Sequence, residues 1–224
     1  MKRFLSLIML LLLISGSASA KYDFQSNGLF YRITGKNPNT VTVTYERATS
    51  SNATYSNLVG DIVIPGTVNY NGTTYVVDAI DKETFSRCND VTSFSIPRSV
   101  KRIGQRAFYN CQNCVVISIP EYSELRVVEC YAFFNCKSLA SVSLHNATKL
   151  DSIGFRNPSS WDNEGRVFGS CKKMTTIYLP NSITAAYMTE FYIDCSSLTT
   201  ATIPSGVANN TLQRTFVIVL LLPM

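Results

Sequence analysis

Seven cysteines and one histidine are the side chains of this 224-residue sequence best suited to redox, metal or nucleophilic chemistry. Cys111-Gln-Asn-Cys114 has the spacing of a redox or zinc pair. A structural zinc needs four ligands, yet no second Cys-x-x-Cys follows and the single histidine is His145. A serine or cysteine triad would have to use that same histidine as its base. Glu121/Glu124 and Asp162/Glu164 are acid pairs of the sort glycoside hydrolysis uses, but nearby acids in polar loops are ordinarily solvated surface. Gly-x-Ser-x-Gly, a phosphate-cradling glycine loop and His-Glu-x-x-His do not occur. The residues therefore assign no catalytic, cofactor or metal site, and the chain is expected not to be an enzyme.

The spacing of the cysteines points elsewhere. Five close the same phrase: Phe85-x-x-Cys88, Phe108-x-x-Cys111, Phe133-x-x-Cys136, Phe168-x-x-Cys171 and Tyr192-x-x-Cys195. After each comes a short alternating apolar run, ended by Pro97, Pro120, His145, Pro180 and Pro204. Successive cysteines are 23, 25, 35 and 24 residues apart. Three of these intervals fit a repeat made of a strand and a return. The long one carries an insertion, because Ile153 to Phe168 takes fifteen steps where Ile103 to Phe108 takes five.

The most regular copy, VTSFSIPRSVKRIGQRAFYNC over Val91 to Cys111, resembles the BspA-like leucine-rich repeats of bacterial surface proteins. The resemblance runs from about Ile62 to Val207, and Gly60 to Ile80 is similar to the start of such regions in Bacteroidetes. It implies a β-rich leucine-rich-repeat solenoid: one short parallel strand per repeat, with 3₁₀, short helical or loop returns. It implies a scaffold and no catalytic motif.

The elements follow in chain order. Residues 1–20 read as a cleavable signal peptide, with basic Lys2 and Arg3, an apolar run from Phe4 to Ile14, and Ala18-Ser19-Ala20 as the cleavage site. The apolar run is shorter than the ~20 residues of a spanning helix, so no membrane span is expected in the mature chain. Removing Lys2 and Arg3 lowers the formal charge from +5 to +3. That is too mild to suggest nucleic acid. Residues 21–60 read as an N-terminal antiparallel β cap, a hairpin of Leu29–Ile33 and Val41–Tyr45 around a turn-rich Thr34–Thr40. Residues 61–207 are the repeats. They open with Asp61-Ile-Val-Ile-Pro65 and a second hairpin tipped by Asn71-Gly72. The insertion loop is 154–166, and residues 208–224 form a degenerate or truncated tail.

The strand period of two sorts the side chains. Phe94, Ile96, Ile117, Ile119, Val142, Leu144, Ile177, Leu179, Ala201 and Ile203 are expected inside, with Val91, Cys114, Leu139, Met174 and Leu198 three positions earlier. The Phe and Cys of each Phe-x-x-Cys close the core, which predicts buried free thiols. Cys130 lies outside the pattern, where partial exposure or pairing is open. His145 reads as a polar strand end. The outward ladder is Ser95, Ser118, Ser143, Tyr178 and Thr202, beside Ser93, Val116, Ser141, Thr176 and Thr200.

That ladder, with Trp161 in the insertion, is the candidate binding surface. The resemblance implies a secreted or cell-surface scaffold that binds an extracellular protein or glycan and mediates adhesion to host or other bacteria. A structural module of a larger envelope assembly is the alternative, and a glycan-active enzyme the third reading. Export makes a direct prediction: N-terminal sequencing of secreted or envelope material begins at Lys21, and a mature protein retaining Met1 would refute it.

Overall fold

Apolar runs that alternate and then meet a proline form strands, and here those strands stack in parallel. The computed structural model describes residues 22–48, 53–55, 57–155, 165–186 and 190–202. Gly60–Val63, Val91–Ser95, Val116–Ser118 and Ser141–Val142 make a four-stranded parallel sheet, and Thr176–Tyr178 and Thr200–Thr202 make a two-stranded one. Phe94, Ile117 and Val142 are buried in register and Ile177 is buried in the second sheet, together with Ile96, Ile119, Leu144 and Leu179. Val91, Cys114, Leu139 and Met174 are buried as expected, while Leu198 and Ala201 are partly buried. Ile203 lies outside the described residues.

The prolines act at a definite bond. At Pro65, Pro97 and Pro180 the residue just before makes the last ladder contact: Ile64 N–H donates to the Ser95 carbonyl (3.0 Å), Ile96 to Ser118 (2.9 Å) and Leu179 to Thr202 (3.2 Å). Proline has no N–H to carry the ladder further. Where His145 replaces proline, the chain instead enters a 3₁₀ turn, Leu144–Asn146, with His145 exposed.

The returns carry an addition to the expected architecture. Each repeat has a second parallel strand on its way back, so the returns are not loops or helices alone. Thr73–Ile80, Arg102–Ile103, Val127–Glu129, Ser152–Phe155 and Ala185–Ala186 stack in sequence. Ile80, Ile103, Val128, Ile153 and Ala186 are buried, near the middle or end of their strands, and the long first strand buries Val77 as well. The first of these strands is the second arm of the expected Asn71-Gly72 hairpin, whereas the four shorter ones have too few inward residues to show a period and are invisible to alternation. The Ile103-Gly104 step is steric, because a Cβ on Gly104 would lie 2.7 Å from the Lys82 nitrogen of the preceding repeat.

Asn39–Thr44 extends this return sheet in parallel beside Thr73–Ile80. Leu29–Lys36 and then Phe24–Ser26 add antiparallel to it. Thr67–Tyr70 and Thr73–Ile80 form a hairpin whose tip residues, Asn71 (φ 49°) and Gly72 (φ 75°), both have the positive φ of a type I′ turn. Arg32, Asp81, Arg102 and Glu129 form a chain of ion pairs across the sheet, at 2.9, 3.9 and 3.0 Å. Partly exposed pairs of this kind contribute at most about 1 kcal/mol each.

The Phe-x-x-Cys corner follows the return strand and alternates its backbone. In every repeat one residue two before the ring and one just before the cysteine are left-handed without being glycine, as in Arg106 (φ 55°) and Asn110 (φ 62°). Alternate N–H groups then point along the stack. Arg106, Phe108 and Asn110 donate to the carbonyls of Cys130, Ala132 and Phe134 in the next repeat. The rings form a column, with Phe85, Phe108, Phe133 and Phe168 stacked at centroid distances of 5.4, 5.6 and 5.2 Å. Tyr55 stacks on the Phe85 end (5.4 Å) and Tyr192 on the Phe168 end (6.2 Å).

Cys130, left open by the repeat pattern, is buried. It follows the strand Val127–Glu129, and alternation sends both Val128 and Cys130 inward. Phe108 is wholly buried between two rings and against Phe94 at 4.8 Å. Phe108→Ala should therefore destabilise by about 3–5 kcal/mol, read from the denaturant midpoint, because the stack cannot collapse into the cavity.

Candidate functional site

The strand face is built by register. Ser93 pairs with Val116 and Ser95 with Ser118, Val116 pairs with Ser141, and further along Thr176 pairs with Thr200 and Tyr178 with Thr202. Ser118, Tyr178 and Thr202 are exposed, while Ser95 is half-buried. Ser143 falls just past the strand Ser141–Val142, at the entry to the 3₁₀ turn, and is half-buried. The structure thus joins Ser95 to Ser118 and Tyr178 to Thr202, in two separate sheets. Trp161, Asp162 and Glu164 lie outside the described residues, as do residues 1–21 and 203–224.

Both outward ladders begin one repeat earlier than the sequence reading placed them. Asp61 pairs with Ser93 and Val63 with Ser95. The signal was Ile64-Pro65, whose register extends both ladders back. The Asp61 carboxylate accepts the hydroxyls of Thr92 and Ser93, each at 2.7 Å. These hydrogen bonds, Ser93 first, hold its carboxyl below the usual range. Asp61 is the one charged residue in the described strands of this face.

The side chains that could do chemistry have other uses. All seven cysteines are buried and none forms a disulfide. The repeat thiols donate to the ring residue's carbonyl one repeat back: Cys111 to Phe85 (3.0 Å), Cys136 to Phe108 (3.0 Å), Cys171 to Phe133 (3.2 Å) and Cys195 to Phe168 (3.0 Å). Cys114, the partner in Cys-x-x-Cys, is a core strand residue whose thiol reaches its own Val116 carbonyl. Burial pushes the thiols of Cys88 and Cys114 up to about 12 and that of Cys195 to about 11. Cys111 and Cys171 are pushed well up, again by burial first. A nucleophilic or metal-binding cysteine needs the opposite shift. Glu124 pairs with Lys149 at 2.5 Å, and that hydrogen bond lowers its carboxyl. Among the described residues, no three His, Cys, Asp or Glu side chains gather to hold a metal.

Two parallel ladders, a hydrogen-bonded corner and a ring column define a leucine-rich-repeat scaffold. The family model for the BspA type Leucine rich repeat region matches residues 78–211 in six copies, more than half the chain, and the chain belongs to that family. Among solved structures it is similar to the T. pallidum leucine-rich repeat protein TpLRR, with 25% identity and a TM-score of 0.63, over 83% of this chain and 73% of that one. It is also similar to a leucine-rich cell surface protein of Faecalibacterium prausnitzii A2-165, with 25% identity and a TM-score of 0.50. That match covers 87% of this chain and 51% of the other. Comparison with curated proteins finds no match. No helix among the described residues is long and apolar enough to cross a membrane.

The raised thiol values carry a pH dependence. Folded cysteines hold protons that unfolded ones release above the usual value of 9.0. Stability is therefore fully present below about pH 9 and falls as pH rises toward 11–12, because the folded state binds more protons there. Tyr31, Tyr55 and Tyr192, also raised by burial, steepen the fall above about pH 10. Urea midpoints should be flat from about pH 7 to 8.5 and drop beyond about pH 9, and Cys114→Ala should flatten the first part of the drop.

Proposed function

We propose that this protein is an exported, non-catalytic repeat scaffold whose strand face binds an extracellular protein or glycan, and that its use is adhesion at the cell surface. The observation that carries the reading is the face itself. Outward hydroxyls repeat in register from strand to strand, and Tyr178 stands 49% exposed among them. Each hydroxyl contact is modest, about 0.5–1.5 kcal/mol net. Affinity then comes from several repeats acting together, and from several molecules on one surface. A rigid ladder suits this, since neighbouring contacts are pre-spaced by the backbone and need no ordering on binding.

An exposed aromatic is the natural centre of such a surface. Tyr178 holds that role on the strands, and Trp161 in the insertion loop is its proposed partner. The similarity to a cell surface protein of F. prausnitzii supports the location, and the basic, apolar and small-residue order of residues 1–20 supports export. Replacing Tyr178 and Trp161 with Ala should cut binding in a host-matrix and glycan panel by about tenfold or more. The thermal midpoint should stay nearly unchanged. Undiminished binding, or a collapsed midpoint, would refute this surface.

A further inference from the structure

Tyr122 has a costly conformation outside the repeat corners. It is left-handed at φ 59° and 73% exposed. Among the described residues, the other left-handed ones that are neither glycine nor asparagine belong to the Phe-x-x-Cys corners, where the geometry turns N–H groups toward the next repeat. Tyr122 stands apart, in the turn after Pro120. A bulky side chain in this region costs about 1–2 kcal/mol, and such strain persists where surrounding structure enforces it, often at functional sites.

The surroundings do enforce it. Ile119 to Leu125 is two residues longer than Ile96 to Val100, and the extra length leaves Glu121 and Tyr122 exposed. Glu124 N–H donates to the Arg98 carbonyl at 2.8 Å, and Leu125 N–H to the Ser123 hydroxyl at 3.2 Å, which pin the turn behind the ring. The Arg98 guanidinium lies 5.6 Å from the ring centroid. The ring is thereby held at the rim of the strand face, four residues past Ser118.

We propose that the ligand of the strand face is an uncharged glycan and that Tyr122 is its rim anchor. The proposal rests on the strand face being the binding surface. Charge selects the ligand class. The described strands of the face hold no Lys or Arg, and their single carboxylate, Asp61, already accepts two hydroxyls. The strands themselves offer a polyanion no counter-charge, and the cation at the rim, Arg98, lies over the Tyr122 ring. Serine and threonine hydroxyls both donate and accept, so they match sugar hydroxyls in either sense. Exposed tyrosines offer a ring face to the apolar face of a sugar ring while their own hydroxyls stay wet: Tyr178 on the strands, and Tyr122 on the side of its ring away from Arg98.

Affinity electrophoresis of the full chain through gels containing a mannan, a neutral β-glucan or dextran sulfate tests this. A neutral polymer should retard the chain, and Tyr122→Gly should weaken retardation by about tenfold or more, while Tyr122→Phe preserves it. Tyr122→Gly should also raise the thermal midpoint, because glycine relieves the left-handed strain. Failure of both neutral polymers, or retardation by dextran sulfate alone, would overturn the ligand class, even if a protein ligand were captured by the same face. Retardation lost in Tyr178→Ala but unchanged in Tyr122→Gly would overturn the anchor and leave the face standing. A lowered midpoint in Tyr122→Gly would make Tyr122 structural and end the proposal.

Discussion

The carbonyl oxygen of each Phe-x-x-Cys ring residue is the joint on which the stack depends. Phe108 shows why. Its carbonyl accepts the N–H of its own Cys111 at 3.4 Å and the thiol of Cys136, one repeat on, at 3.0 Å. Phe168 repeats the arrangement with Cys171 and Cys195. A buried carbonyl has two lone pairs to satisfy. The corner turn supplies one partner, and a side chain must supply the other. Cysteine suits the place because it is small, apolar enough to sit against a phenyl column, and still a weak donor. The recurring cysteine is thus explained by packing and hydrogen bonding together.

The same corner explains the tolerated strain. Two non-glycine left-handed residues per repeat are unfavourable taken alone. Here each lets alternate N–H groups leave the local turn and bond the next repeat. Between the first two complete corners, Glu83, Phe85 and Arg87 donate to Gln105, Ala107 and Tyr109 at 2.7–2.8 Å. These bonds form only when a second repeat is in place, as does ring stacking. Local cost and neighbour gain are therefore coupled, which is the nearest-neighbour logic of a solenoid. At the N-terminal end Tyr55 supplies the terminal ring, and its hydroxyl ties to the Thr44 carbonyl and the Phe30 N–H.

What could be read from the residues divides along this line. Phe94, Ile96, Ile117 and Ile119 were legible because a period of two survives over a strand with two inward residues. Phe-x-x-Cys was legible because it recurs. Ile103, Val128 and Cys130 were harder, since their strands show at most one or two inward positions. Tyr55 sits outside the repeat spacing and joins the column only through the fold. Tyr122 was illegible for a different reason. Its length signal, two extra residues after Ile119, was present, but a left-handed φ arises from how Glu124 and Leu125 are held, which no residue pattern states. The ladder residues Ser95, Ser118, Tyr178 and Thr202 were placed by alternation alone. Their partnership across strands follows from register, and register also brings in Asp61 and Val63.

The division of labour between inside and outside bears on what the molecule can do. The core consumes the side chains with intrinsic reactivity. Its thiols are buried and engaged with carbonyls or core packing, so their chemistry is turned toward the fold. The strand face keeps side chains whose individual contacts are weak. A surface of this kind gains from repetition, because each added repeat presents another pair of outward positions at a fixed spacing. The cost of ordering is met once, in the core, by ring stacking and corner bonds. Selection acting on ligand choice can then vary outward residues such as Val116, Tyr178 or the turn around Tyr122 without touching an inward one. In strands with period two the two sets never share a position. The fold thereby separates stability from recognition, and a change of ligand need not be a change of scaffold.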